Sequence, residues 1–223
     1  MPSMINHPLV QVFDEATRVQ LLAQSRRVAF KKGDLLFLEG HVAEGVYFVE
    51  SGMLKILKNS SSGIQTVFSL YSANSFVALS VLFNSPHTYP ASGMCVIDAV
   101  VYEIPRQALQ QAILSKPEAM MLWFGQLNRR LENIQQLLTD QIFTDSLGRF
   151  KKVMRYFVTL QGIKKGTYIE VEVPLSKQDL AEYIGVRRET LSRMFSQLKK
   201  EKSCYLNQKK WIIDPEWLKD ELE

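Results

Sequence analysis

No stretch of this sequence approaches the ~18 consecutive apolar residues that a membrane-crossing helix needs, so a bilayer-spanning protein is not expected. Cysteine is scarce: Cys95 and Cys204 are the two in 223 residues. Far apart in sequence, they cannot build a disulfide framework or supply the four ligands of a structural metal site. That usage points to the reducing cytoplasm and to no bound metal. The opening residues Met1-Pro-Ser-Met-Ile-Asn-His-Pro lack a basic stretch followed by an apolar one, so no secretory signal is expected. A phosphate-cradling P-loop, a G-x-S-x-G elbow and an H-E-x-x-H pair are all missing. No catalytic residue presents itself, and an enzyme is not expected.

What is present is an ordinary globular balance of 46% hydrophobic and 22% charged residues. The length suits one large domain or two small ones. The net charge of +4 is unevenly spread. Residues 1–145 carry 11 Lys/Arg against 12 Asp/Glu, whereas residues 146–223 carry 16 against 11. A basic C-terminal third behind a neutral remainder suggests nucleic acid at one end, or a solvated lysine-rich surface.

From Phe30 to about Tyr102 the text is one of strands and turns. Asp34–Leu38, Val46–Val49, Met53–Lys58 and Thr66–Tyr71 are short runs of β-branched, aromatic and aliphatic residues, punctuated by Gly33, Gly40, Gly45, Gly52 and Gly63. Lys58-Asn-Ser-Ser-Ser-Gly reads as a hairpin tip. Many short strands predict a small antiparallel barrel or sandwich. The periodicity then changes. A short helix begins at Arg106, and a long one runs from about Pro117 to Ile142. Met120, Phe124, Leu127, Leu131, Ile134 and Leu138 are spaced 4-3-4-3-4 along it. This stripe either packs on its own domain or, being as narrow as a heptad seam, pairs with a second copy, the reading favoured here. Beyond Asp145, Phe150, Val153, Met154 and Phe157 mark an amphipathic helix, Gly162–Thr167 a turn and Tyr168–Val173 a half-buried strand. The chain divides on this basis into 1–116, 117–145 and 146–223. Lys209-Lys-Trp-Ile-Ile closes a small ribbon.

The segment Ser176–Met194 reads as a helix-turn-helix. Ser176 and Asp179 resemble a capping box with Asp in place of Glu, Ala181 is small enough for close helix approach, and Gly185 tolerates the turn. Val186 is expected to open a second helix running to about Lys200, with Val186 and Leu191 inward. Arg188, Glu189, Ser192 and Arg193 then face out at the end that enters a major groove. Their chemistry suits base edges: arginine grips guanine O6/N7 and glutamate accepts from cytosine N4.

With these residues in place, the chain resembles the Crp/Fnr superfamily of bacterial transcription regulators. Gly33-Asp-Leu-Leu-Phe-Leu-Glu-Gly, Gly45-Val-Tyr-Phe-Val and Gly52-Met-Leu-Lys are similar to the family's β-roll. Arg129-Arg130-Leu131 resembles its dimer helix, Phe143-x-Asp-Ser-Leu-Gly-Arg149 its hinge, and Arg188-Glu-Thr-Leu-Ser-Arg193 its recognition helix. The resemblance implies an α+β protein: an N-terminal antiparallel β-roll sensor, a long dimerisation helix with hinge, and a C-terminal winged helix-turn-helix. It implies a homodimeric activator that binds double-stranded DNA and RNA polymerase. Arg188, Glu189 and Arg193 match a set that reads GTGA-like half-sites of a palindrome; Glu189, Ser192 and Arg193 match the Fnr branch. Ser176, Lys177 and Gln178 stand where the family holds phosphate, and Arg187 and Lys199 join them as phosphate contacts. Lys200, Lys202, Lys209 and Lys210 add basic charge nearby.

At the sensor end the sequence departs from that pattern. The cyclic-AMP branch carries Gly-Glu-Leu…Arg-Ser-Ala; here Ala78-Leu79 and Tyr89-Pro90 stand at those places, with Ile134 and Gln135 where adenine would rest on the long helix. Cyclic AMP is not expected. Two cysteines are too few for the four thiolates of an iron–sulfur cluster, and His7, His41 and His87 read as ordinary histidines rather than haem ligands. What remains is an apolar set, Phe76, Leu79, Leu82, Phe83, Tyr89, Pro90 and Met94, that either holds a hydrophobic small molecule or is packed shut. An alternative reading is a ligand- or redox-sensing β-roll signalling protein whose DNA binding depends on oxidation of Cys95 or on another effector.

Overall fold

The computed structural model describes residues 3–59, 65–207 and 210–219. The expected hairpin tip spans residues 58–63 and lies mostly outside them, as does Lys209. The chain forms two compact units, 1–135 and 136–223, with the boundary inside its longest helix.

The first unit is built on one antiparallel sheet. Its strands are β1 (Arg26–Phe30), β2 (Leu35–Phe37), β3 (Gly45–Asn59), β4 (Gln65–Ser72), β5 (Ser75–Val77) and β6 (Ser92–Pro105). The order is β1-β6-β3-β4, with β2 on β6 and β5 on β3. Sequence patterning splits Val46–Val49 and Met53–Lys58 into separate strands, but they form the single strand β3. The reason lies at Gly52, which bends the strand through bulges against β6 instead of turning it back. Its φ is 91°, and a Cβ there would fall 2.5 Å from the Asp98 carbonyl oxygen, so glycine is obligatory. Both halves of β3 are buried on nearly every residue, which is why apolar side chains follow one another there rather than alternating, with Lys55 the one charged residue buried among them.

Two short helices precede the sheet and escape sequence patterning: α1 (Pro8–Gln11) and α2 (Glu15–Gln24). Asp14 caps α2 by accepting from the Thr17 N–H at 2.8 Å. Leu9, Val10, Phe13 and Leu21 join the core. His7 caps α1 through Nδ1, and its ring stands edge-on to Phe76 at 4.8 Å and Phe48 at 5.8 Å. After the sheet come α3 (Arg106–Leu114) and α4 (Pro117–Phe143). The first half of α4 lies on the core through Ala119, Met120, Trp123 and Leu127. The Trp123 indole donates to the Leu79 carbonyl at 3.2 Å and meets Phe83 edge-on at 4.6 Å.

The second unit holds the end of α4, then α5 (Ser146–Gln161), β7 (Ile163–Lys165), β8 (Tyr168–Val171), α6 (Lys177–Ile184), α7 (Arg188–Glu201), β9 (Cys204–Asn207) and β10 (Lys210–Ile213). Its sheet order is β7-β8-β10-β9, all antiparallel. The stretch expected as a turn after Gly162 is instead a strand, with the reversal at Gly166, whose φ of 61° a glycine adopts freely. Phe150, Val153, Met154 and Phe157 turn inward from α5. Phe150 sits within 6 Å of Phe195, Trp211 and Trp217, ring centre to ring centre. Among the described residues no helix is long and apolar enough to cross a membrane.

Candidate nucleic-acid interface

The outward face of α7 is prepared by the helix before it. Ser176 Oγ accepts from the Asp179 N–H at 3.0 Å, and Asp179 Oδ2 accepts in return from the Ser176 N–H at 3.1 Å. This reciprocal box fixes where α6 begins. The helix ends at Gly185 in the left-handed region, with the Val186 N–H closing onto the Ala181 carbonyl at 2.9 Å. That bond takes Val186 out of the second helix. Arg187 is extended and serves as its N-cap, so α7 starts at Arg188, two residues later than sequence spacing suggests. Leu191 and Leu198 bury and fix the rotation of α7.

Arg188, Glu189, Ser192 and Arg193 are all exposed as a result. Ser192, Arg193, Ser196, Gln197 and Lys200 line one shallow open concavity on this helix. Ser196 and Gln197 do not feature in the sequence-level set, although each lies four residues beyond a member of it, Ser192 and Arg193, and so on the same side. Gln197 donates its amide to Glu201 at 2.9 Å. Glu189 lies in the first turn, where the helix dipole favours an anion. Among the described residues no carboxylate pairs with Arg187, Arg188 or Arg193. Ser176, Lys177 and Gln178 are exposed at the start of α6, though Ser176 donates to Asp179 and Gln178 to Glu182. Lys199 is exposed in the last turn of α7. Lys210, by contrast, is paired with Glu170 at 3.1 Å.

Of the six residues expected in a seam on α4, Phe124, Leu131 and Leu138 are exposed and Met120 and Leu127 are not. Met120 and Leu127 pack against their own core, since a 4-3 spacing alone cannot tell which side of a helix faces inward. The free apolar stripe is Met121, Phe124, Leu131, Leu138 and Ile142, with Phe124 at 52%, Leu131 at 54% and Leu138 at 58% exposure. Ile134 is half-buried and Gln135 exposed. Asn128 and Gln135 complete the 3-4 spacing of this stripe.

Most of the expected apolar sensor residues share one core cluster, and some lie outside it. Phe76, Leu79, Leu82 and Tyr89 are buried in the sheet core, and Phe83 and Met94 are half-buried. Pro90 and Gln135 lie at the surface, outside that core. Tyr89 stacks on Phe37 at 4.4 Å, and Phe37 on Tyr47 at 5.3 Å. The Tyr89 hydroxyl donates to the Gly45 carbonyl at 2.8 Å. Burial pushes the phenols of Tyr47 and Tyr89 up. Cys95 is buried, and burial together with Asp34 and Asp98 raises its thiol to about 11. A thiol so far above neutrality holds almost no reactive thiolate.

Comparison with known proteins decides the family. The model described as a cyclic nucleotide-binding domain matches residues 27–116, and that of a Crp-like helix-turn-helix domain matches residues 151–221. The chain belongs to the Crp/Fnr family of DNA-binding transcription regulators. A "CRP-like cAMP-activated global transcriptional regulator" of Mycobacterium tuberculosis is 29% identical over 174 residues, 78% of this chain and 77% of the relative. The "Anaerobic regulatory protein" of Bacillus subtilis is 24% identical, over 79% of this chain and 74% of its own length. Among solved structures, the c-di-GMP-responsive global regulator CLP of Xanthomonas campestris aligns with a TM-score of 0.77 at 21% identity, covering 90% of this chain and 99% of that one. These relatives are regulators, not enzymes. The α+β class expected from the sequence is the one observed.

Within this Crp/Fnr regulator, the positions that the resemblance assigns to nucleotide contacts carry no charge at all. No Lys, Arg, Asp or Glu occurs between Lys58 and Asp98. Among the described residues no cluster of His, Cys, Asp and Glu could hold a metal ion.

Proposed function

We propose that the protein is a homodimeric, sequence-specific reader of palindromic DNA whose control does not run through a cyclic nucleotide. The observation that carries this reading is the outer face of α7, where Arg188, Glu189, Ser192 and Arg193 stand exposed and, among the described residues, Arg188 and Arg193 have no carboxylate partner. Arginine in a fixed fork against guanine, with glutamate accepting from cytosine, favours a GTGA-like half-site. Ser176, Lys177, Gln178, Arg187 and Lys199 then contact phosphates, which set register without reading sequence. Residues 146–223 are the DNA-binding domain, 117–145 the dimer helix and hinge, and 1–116 a sensor-derived domain. Recruitment of RNA polymerase from a cytoplasmic location follows from the family.

Two copies pair along the free stripe of α4, Met121, Phe124, Leu131, Leu138 and Ile142. Its 3-4 spacing suits a two-stranded coiled coil, with Asn128 and Gln135 as polar positions in the seam. Replacing Phe124 and Leu131 with Asp should give monomers by sedimentation, because unpaired buried charges cost on the order of 3–5 kcal/mol each. A dimer that survives both changes overturns this interface.

The sensor domain is proposed to be closed. A buried cyclic phosphate must meet charge or several N–H donors, and Leu79, Tyr89 and Pro90 supply neither. The Tyr47–Phe37–Tyr89 stack fills the region with the protein's own rings, which favours a packed core over an apolar effector cavity. Selection of bound fragments from random duplexes, without additive and then with millimolar cyclic AMP, tests the whole reading. A pseudo-palindrome with half-sites about one helical turn apart is expected in both arms. Recovery of no sequence, or recovery only with the nucleotide, overturns it.

A further inference from the structure

Arg149 sits in the first turn of α5, just after the Asp145 cap, and its guanidinium ends two other helices at once. Nη1 donates to the Thr144 carbonyl at 2.5 Å, one residue past α4. Nε donates to the Ile184 carbonyl at 2.7 Å, on the last residue of α6. Both carbonyls lie at helix C-termini, where unsatisfied oxygens and the dipole favour a cation. The same junction has a second tie: Asp140 on α4 accepts from Lys152 of α5 at 2.5 Å and from Gln136 at 2.7 Å. The Gln141 amide lies 3.3 Å from where a side chain on Gly185 would begin. Ile184 is the residue before the Gly185 turn, and Arg187, three residues on, caps α7.

We propose that Arg149 is a positioning residue that fixes the direction of the reading helix against the end of α4, and so sets which half-site spacing the dimer accepts. The inference rests on the dimeric reading above. In a dimer joined along α4, the two reading helices are separated by a distance that this joint determines. A planar guanidinium holds two carbonyls at a fixed angle, whereas a lysine ammonium is a point charge on a flexible stem and holds no such angle. Arg149 faces away from the reading set in sequence and role: it touches backbone carbonyls, not the exposed face of α7.

Full-length wild type, Arg149→Ala and Arg149→Lys are compared on the selected palindrome and on versions with one base pair added to or removed from the spacer. Wild type should discriminate sharply between spacings. Arg149→Ala should bind the best spacing about tenfold more weakly, the loss of charge-assisted hydrogen bonds, and should discriminate the three spacings several-fold less. Arg149→Lys should fall between. Affinity for random duplex, and its dependence on salt, should not change, because no phosphate contact is lost; a merely unfolded reader would lose that affinity too. A variant that keeps its circular dichroism and the wild-type spacing ratio overturns the inference. Should the alanine variant fail to fold, an Arg149→Lys protein with an undiminished spacing ratio overturns it equally. A wild type with no spacing preference removes the dimeric reading itself, and the pin with it.

Discussion

Both units pair surface charges, Lys152 with Asp140 and Lys210 with Glu170 in the second, yet they differ in what they leave unanswered. In the sheet unit, surface charges are answered by neighbours: Arg26 meets Glu103, Arg27 meets Glu50, Lys31 meets Asp98 and Lys58 meets Glu39. Its interior around Tyr89 is filled by stacked rings. In the second unit, the arginines at the start of α7 are left unanswered on an exposed face. A paired exposed charge contributes little to stability and little field at a distance. Unpaired arginines contribute no stability either, but they keep their field for an anionic partner. On the proposed reading the difference separates residues kept for folding from residues kept for binding, within one chain of modest net charge.

The largest test of that contrast is Tyr89→Ala. It removes a buried ring from the stack and leaves the Gly45 carbonyl unmet, so the sheet unit should lose about 3–5 kcal/mol in chemical denaturation. A loss under 1 kcal/mol would mean the region is loosely filled, and a ligand cavity would return as the better reading. Arg188→Ala is the mirror experiment on the other unit. Specific DNA affinity should fall by about 1–3 kcal/mol with one base position relaxed, while denaturation midpoints stay as in wild type. A drop in stability comparable to the drop in affinity would place Arg188 among the structural residues.

A finer distinction comes from pH. All three histidines, His7, His41 and His87, belong to the first unit. Burial against Phe48 and Phe76, aided by the nearby Arg129 charge, holds His7 below its ordinary 6.5. The unfolded chain therefore binds the proton more readily than the folded one between the two values, and stability rises with pH there. The contribution is complete above about 6.5 and is lost as acid carries the protein down towards the folded value. His7→Gln should flatten that slope in the sheet unit and leave the second unit's response unchanged. An unaltered slope would assign the acid sensitivity elsewhere.

Legibility in the sequence was uneven, for reasons that can be traced to particular residues. The helix-turn-helix was readable because its signals are local: Ser176 with Asp179 three residues on, a lone Gly185, and the small Ala181 beside apolar neighbours. Its second helix was placed two residues early because the bond from Val186 to Ala181 belongs to the closing of α6, and a valine carries no mark of that role. The α4 stripe was legible only in part, because Met120 and Leu127 satisfy the heptad arithmetic while facing their own core. Asp14 stands as a capping residue before α2, but that helix buries only Leu21 and has little periodicity to announce it. The single bent strand β3 was divided because a glycine between apolar runs reads the same whether it turns or bulges. Arg149 is legible only as the last residue of the hinge resemblance, and its role is not: a basic residue in an amphipathic helix looks like solvent-facing charge until the two carbonyls come into view.

Trp123 has a practical consequence for anyone studying the two units. It is the single tryptophan of residues 1–135, half-buried against Leu79 and Phe83, while Trp211 and Trp217 both belong to residues 136–223. Indole emission moves to longer wavelength when the ring meets water, so the chain carries one native optical reporter for its first unit and two for its second. Trp123→Phe leaves emission from the DNA-reading unit alone, and the Trp211→Phe/Trp217→Phe pair leaves emission from the sheet unit alone. Each melts with its own colour change, without a dye, a label or a truncated chain.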